Sequence, residues 1–392
     1  MNLKIKPSAT VELSRKISAL KHSGANIIEL NMGEPDFPTP DPIKSAAKKA
    51  IDLNYTHYTP VSGILELRKA ICRKFQSENK LDYQPEEVIV TSGAKQALLL
   101  ALMSLCDPGD EVIILTPCWV SFIEMVKIAG AVPVLVETNE KNEFQIDIKS
   151  LERALSNKTK ALILNSPNNP TGAVYSKDTL SSLAQMAIKN AFYLISDEIY
   201  ENIVYEDARH HSIAAISPAG FSRTITVNGL SKAFAMTGWR IGYAAGPGDF
   251  IEKMCTIQGH MTTCSNSISQ WAAIAALRES KNEAEEMRQA YEERKKYLMT
   301  RLLKIPLISC ARIDGTFYAF PNVTQYLNKR YQDYHIKSTI DLADFILSEG
   351  QVALVPGDAF QAPGYLRMSF ANSMVNIQTG CDRIENCLSL LK

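Results

Sequence analysis

The chain predicts an α/β fold built on a mostly parallel sheet, with a second, smaller unit beside it. Three observations lead there. Short apolar runs alternate with helix-patterned segments through the middle of the chain. Those runs are apolar at nearly every residue rather than every second one, as strands are when helices cover both faces of a sheet. Beyond about residue 282 this pattern gives way to a long charged helix and a few isolated strands.

Taken in order, Val88–Thr91 reads as a strand and Ala94–Leu105, rich in Ala and Leu, as a helix. Residues 111–115 form the next strand and 120–129 the next helix; 131–136, 161–164, 192–196 and 224–227 continue the strands. Residues 176–190 fit a helix with Ser176 as its N-cap, since a serine hydroxyl can accept from a free first-turn N–H. The stretch holding Glu283, Glu285, Glu286, Arg288, Glu292, Glu293, Arg294, Lys295 and Lys296 reads as a long solvated helix leading into the second unit. That unit has strands near 317–320, 352–355 and 366–370, then a C-terminal helix. Neither an internal repeat nor a low-complexity linker interrupts the order.

Composition narrows the function. The 392 residues are 46% hydrophobic and 21% charged, ordinary for a globular protein with a core that needs no disulfides. Lys plus Arg and Asp plus Glu both number 42, so no nucleic-acid or anionic-membrane partner is expected. None of the eight cysteines forms a C-x-x-C pair and no His stands at metal-finger spacing; no metal site is expected, and a reducing cytoplasm is. No apolar stretch follows the charged start, so no signal peptide is expected, and the longest apolar run, 97–106, is too short to cross a bilayer.

Ligands of such a sheet gather at the carboxyl ends of its strands, and the unusual residues stand there. Asn165-Ser-Pro-Asn-Asn-Pro-Thr-Gly172 follows one strand, Asp197-Glu-Ile-Tyr200 the next, and Ser231-Lys232 a third. Thr91-Ser-Gly93-Ala94 lies between a strand and a helix start, where free N–H groups suit a phosphate. Singly these are a turn, a helix cap and a surface lysine; packing alone does not place four such clusters at strand ends.

Together they resemble the class I aminotransferases that use pyridoxal phosphate. The segment Gly229-Leu-Ser-Lys232-Ala-Phe-Ala-Met-Thr-Gly-Trp-Arg240-Ile-Gly242 fits that family's signature around the cofactor lysine, and the Asn169 and Asp197–Tyr200 motifs follow its order. Gly33-Glu-Pro-Asp-Phe37 is shared with the I-beta subgroup of aspartate aminotransferases. The resemblance runs from Lys6 to Arg367 and implies a type I fold, with a large domain over residues 45–281 and a smaller α+β domain formed from 1–44 and 282–392.

The resemblance also implies roles. Lys232 carries the cofactor and moves the proton, Asp197 pairs with the pyridine nitrogen, and Tyr200 and Asn169 bond its phenolic oxygen. Trp119 stacks on the ring. Gly93, Ala94, Ser231 and Arg240 hold the phosphate, joined by Tyr58 from a neighbouring subunit, which implies a homodimer with shared active sites. Arg367 clamps the substrate α-carboxylate, as a guanidinium fork suits a carboxylate, and the Gly33 backbone lies against the substrate. The substrates implied are amino acids and 2-oxo acids.

Lys95 points to L-aspartate, with 2-oxoglutarate as the second partner, because close relatives with a lysine here read a distal carboxylate; it could also only add charge near the phosphate. Lys6 matches a lysine of members that also use prephenate, or it is a frayed terminal residue. A neutral or aromatic substrate, a lyase of the same fold, and a non-catalytic cofactor sensor are the other readings. The last normally carries an N-terminal DNA-binding module, for which the early start of the resemblance leaves no expected room. Cys118 stands where close relatives often have Tyr, which sets a smaller side chain near the expected pocket.

Overall fold

A computed structural model describes residues 9–206 and 208–392, with side chains from residue 12 onward. Its centre is a seven-stranded sheet of β1 (Val88–Thr91), β2 (Glu111–Thr116), β3 (Val132–Glu137), β4 (Thr159–Asn165), β5 (Tyr193–Asp197), β6 (Thr224–Gly229) and β7 (Gly242–Ala245), in the order β1-β7-β6-β5-β4-β2-β3. The pairings β3–β2–β4–β5–β6 are parallel, while β7 runs antiparallel between β6 and β1.

Side chains alternate between the faces of a strand, and here both sets are buried. Ile89, Val112, Ile114, Ile163, Ile195, Ile225 and Ala244 share one core with the helices Ala94–Leu105, Ser121–Ile128 and Gly248–Met261. Ile113, Leu115, Leu162, Leu164 and Leu194 pack on the other face against Lys177–Lys189, whose N-cap is Ser176, accepting from the Thr179 N–H. Further along that face, Val88, Val90, Tyr243 and Ala245 meet the helices Leu65–Lys74 and Ser267–Glu279.

The C-terminal third adds a three-stranded antiparallel sheet of β8 (Tyr318–Ala319), β9 (Val355–Pro356) and β10 (Leu366–Ser369), with β10 in the middle. A parallel pair, Ile28–Glu29 with Val352–Ala353, ties the early chain to it, and the Ser369 N–H bonds Leu30 O at 2.6 Å. Among the described residues no helix is long and apolar enough to cross a membrane.

Two expectations need correction, and one strand was missed. The stretch 352–355 is two strands in two sheets, broken at Leu354. The charged helix, Lys281–Leu302, is not solvated all round: Met287, Tyr291, Lys295, Leu298 and Leu302 form a buried stripe at helical spacing. Lys295 is buried because its ammonium reaches Glu206 at 3.1 Å and its stem can lie along apolar surface. And β7 was not foreseen at all. It begins at Gly242, where a Cβ would stand 2.3 Å from Ala94 N and 2.5 Å from Gly93 C, both rigid backbone. Gly242→Ala should therefore cost about 2 kcal/mol or more, read as a fall of at least ~2 °C in Tm with weakened binding of inorganic phosphate; an unchanged melt would show that the helix start can shift aside.

Candidate active site

A cavity of about 430 Å³ lies at the carboxyl ends of the parallel strands, bounded on the far side by the small sheet. Each wall comes from a different segment. The β4 end supplies Asn165 and Asn169, the β5 end Asp197 and Tyr200, the turn after β6 Ser231, Lys232 and Arg240, and the helix start after β1 Ala94 and Lys95. Trp119 comes from the turn after β2, Gly33 from the early chain, and Arg367 and Tyr318 from the small sheet.

Lys232 donates to Gly33 O and lies 5.8 Å from the Tyr200 ring centre and 5.9 Å from that of Phe317. Burial pushes its amine down to about 8, helped by the nearby Arg367 charge and opposed by Glu34. Asp197 is pushed the other way, up to about 7, chiefly by burial. The Ile199 N–H donates to its Oδ1 at 3.3 Å and pulls it back down, the Glu198 charge raises it further, and Lys232 lowers it.

Arg367 is 3% exposed. Its two Nη atoms donate to Asn169 Oδ1 at 3.1 Å and Asn31 O at 2.9 Å, while Nε has no partner. The guanidinium lies 4.3 Å from the Tyr318 ring centre and 5.0 Å from that of Phe360, so stacked aromatics hold its plane. Asn169 spends its carbonyl oxygen on Arg367, which leaves its NH₂ to face other acceptors.

At the opposite end, the helix Ala94–Leu105 opens on Gly93, in the left-handed region at φ 84. Gln96 and Ala97 donate to Gly93 O, which leaves the Ala94 and Lys95 N–H groups without a helical acceptor, and Arg240 stands near them, donating to Thr237 O at 2.8 Å. A Cβ on Gly93 would lie 2.5 Å from the Arg240 guanidinium, so only glycine lets the two approach. The Lys95 ammonium sits 4.8 Å from the Trp119 ring centre, and burial followed by Arg240 lowers its affinity for a proton.

Of the residues expected at a site, Gly33, Ala94, Lys95, Trp119, Asn169, Asp197, Tyr200, Ser231, Lys232, Arg240 and Arg367 line this one cavity, and Gly93 underlies Arg240. Tyr58 does not: it is 87% exposed and away from the cavity of its own chain. Lys6 lies outside the described residues. Cys118 is buried in the core with Leu98 and Phe122, its own N–H bonded to Phe360 O, behind the cavity wall that Leu98 and Trp119 form. Sequence reasoning missed Asn31, Glu34, Thr237 and Tyr318, which line the cavity beside the foreseen groups.

A lysine of lowered proton affinity, a buried carboxylate and an arginine over a helix start agree with one family. The model of the family described as aminotransferase class I and II matches residues 25–384. The chain belongs to that family. It is 44% identical to the aspartate aminotransferase of Geobacillus stearothermophilus over 96% of this chain and 95% of that one. With the aspartate/prephenate aminotransferase of Thermus thermophilus it shares 43% identity over 98% and 97%. Among solved structures, the Rhizobium meliloti aspartate aminotransferase superposes with a TM-score of 0.96 at 38% identity, covering 99% of this chain and 98% of that one. The Thermus thermophilus aspartate aminotransferase with maleate gives 0.92 at 42% over 98% and 97%.

The raised proton affinity of Asp197 has a thermodynamic consequence. Its folded-state value lies above the unfolded one, so its contribution to stability is present below the ordinary carboxylate value and lost as pH rises through about 7. Asp197→Asn should therefore raise the Tm of the protein stripped of small molecules at pH 8 and change it much less at pH 4; thermal melts at the two pH values check this, and equal shifts would refute it.

Proposed function

We propose that this aminotransferase exchanges amino groups between L-aspartate and 2-oxoglutarate, with pyridoxal phosphate as cofactor. The carrying observation is the charge of the cavity: four cationic side chains, Lys95, Lys232, Arg240 and Arg367, face two carboxylates, Glu34 and Asp197. Such a lining suits a phosphate and a dicarboxylic substrate together.

The residues fit the cofactor. Gly93, Ala94, Ser231 and Arg240 would hold its phosphate, since the bare N–H groups and the guanidinium converge where no Cβ intrudes. Asp197 would pair with the ring nitrogen, and a cationic partner there would keep it ionised despite burial. The Asn169 NH₂ and the Tyr200 hydroxyl would donate to the phenolic oxygen, and Trp119 would cover the ring face. Bound pyridoxal phosphate supplies an electron sink for negative charge at the substrate Cα. Lys232 would anchor it and then, as a free amine, take the Cα proton on Nζ and deliver it to the carbon on the other side of the substrate nitrogen; an amine titrating near 8 is matched to that work.

Arg367 would bind the α-carboxylate, with its unpartnered Nε and its stacked plane ready for a two-point contact. The Gly33 backbone would lie against the substrate. Lys95 pairs with no carboxylate among the described residues and is our choice for the distal carboxylate. The maleate held by the Thermus structure is itself a dicarboxylate. Prephenate as a further acceptor rests on the match of Lys6 and on the names of relatives such as the Thermus and Petunia proteins.

Tyr58 would reach the phosphate of a second copy. It stands out from the protein with Ile51, Leu53 and Tyr55, an exposed apolar run that a homodimer would cover. The two-domain division at residues 45 and 281, with closure of the smaller part over the substrate to exclude water, belongs to the same proposal. Eight unpaired thiols suit a cytoplasmic setting.

The reading is tested by a half-reaction. Cofactor-loaded protein mixed with L-aspartate alone should convert to the pyridoxamine form and release one equivalent of oxaloacetate; a yellow protein that stays unchanged would remove aspartate and favour a lyase. Lys232→Ala should lose at least ~10⁴-fold in turnover while melting like the parent; retained turnover would remove the mechanism. Lys95→Ser should lower kcat/KM for aspartate by ~10–100-fold, the worth of one charge-assisted hydrogen bond, and spare a neutral amino acid; equal losses would leave Lys95 serving only the phosphate.

A further inference from the structure

Tyr318 is named by neither the family signature nor the motifs at the strand ends, yet it touches three parts of the site at once. It projects from β8, the edge strand beside β10, which carries Arg367. Its hydroxyl is 3.0 Å from the Tyr200 hydroxyl. Its ring lies under the Arg367 guanidinium, 4.3 Å from centroid to Cζ. A Cβ on Gly33 would come within 3.3 Å of its hydroxyl, so it also sets how near the Gly33 backbone can lie.

Two buried phenols share one hydrogen bond, and which of them donates matters. Burial holds both in the protonated form: Tyr200 well above its ordinary value, Tyr318 raised as well. Each then has one proton to give. Arg367 opposes burial at both phenols, but at Tyr318 it is the first influence after burial, whereas at Tyr200 the upward push of Asp197 works against it. Tyr318 is thus the better acid of the pair, and a donor bond from it leaves the Tyr200 proton free for the cavity. Hydrogen bonds in such a chain strengthen one another.

We propose that Tyr318 is a positioning residue whose hydroxyl donates to Tyr200, turns the Tyr200 proton toward the cofactor's phenolic oxygen, and links it to the arginine that binds the substrate carboxylate. This rests on the reading of the site as a pyridoxal phosphate site. The ring and the hydroxyl have separable tasks: the ring steadies Arg367, the hydroxyl aims Tyr200.

The test is a pH titration of the near-visible absorbance of the cofactor-loaded protein without substrate. A strong donor to the phenolic oxygen favours the deprotonated bound cofactor, so Tyr318→Phe should move the midpoint upward by about half a unit or more. Tyr318→Leu, which also loses the ring, should raise the KM for aspartate about tenfold. In a Tyr200→Phe background, Tyr318→Phe should add no further shift, because the effect passes through Tyr200. A midpoint that stays put in Tyr318→Phe, or a shift that persists in full without the Tyr200 hydroxyl, overturns the inference while leaving the cofactor reading intact. A parent protein that takes up no pyridoxal phosphate overturns both.

Discussion

The cost of holding charge away from water is the constraint on which the site depends. Lys232, Asp197 and Arg367 share a cavity whose walls are largely apolar or aromatic, and there Arg367 and Arg240 add to the effect of burial in making Lys232 a poorer cation, against Glu34 and Asp197. A lysine in water would be protonated at neutral pH and inert as a base. Here burial and Arg367 bring it to about 8, within reach of the neutral form, without any special partner. The same burial that readies the amine leaves Asp197 reluctant to ionise until a cation arrives. Burying these groups thus stores an unfavourable term that a cationic, phosphate-bearing ligand would relieve.

The phosphate end depends on a backbone constraint of equal weight. Because β7 runs antiparallel between β1 and β6, it brings Gly242 up against the start of the helix Ala94–Leu105. The residue two before it, Arg240, adopts φ 53, a left-handed conformation uncommon outside glycine, and this turns its side chain over Gly93. The guanidinium and the bare N–H groups converge only because two glycines face each other across a gap with no room for a Cβ.

Much of this was legible from the sequence, and the exceptions have physical reasons. Strands buried on both faces announce themselves as apolar runs, so six of the seven central strands were found with their order along the chain. The seventh, Gly242-Tyr-Ala-Ala245, is four residues of which three are glycine or alanine, and a single tyrosine supplies neither a periodicity nor a run of β formers to mark it. Lys295 looks like any other charge on a charged helix; its burial follows from the 3.6-residue spacing shared with Tyr291 and Leu298, which only packing reveals. The cavity residues legible in advance were those at the strand ends, where polar residues interrupt an apolar pattern. Tyr318, inside the aromatic run Phe317 to Phe320, looked like core, and it is core: buried at 1%, with only its hydroxyl reaching the site.

The turn that carries Asp197 shows how the fold aims that carboxylate. Side chains alternate at the end of β5, so Ser196 and Glu198 turn to the face opposite Asp197. Glu198, 0% exposed, accepts from the Ser196 and Ser212 hydroxyls at 2.8 and 2.7 Å and bonds His210 Nε2 at 3.1 Å. Glu201, three residues on, is tied to Lys74, Asn79 and Asn228. Glu198, Glu201 and His210 approach within 4.8 Å of one another, a spacing a metal ion could use. The carboxylate oxygens, however, already bond hydroxyls, two amides and a lysine, and the Lys74 ammonium supplies the positive charge an ion would bring. A fully bonded carboxylate cannot rotate without stranding its partners, so this network pins both sides of the 197–200 turn. Asp197 and Tyr200 are then presented to the cavity from a segment whose other face has no freedom to move, which is what a site needs when the distance between a carboxylate and a ring nitrogen decides the chemistry.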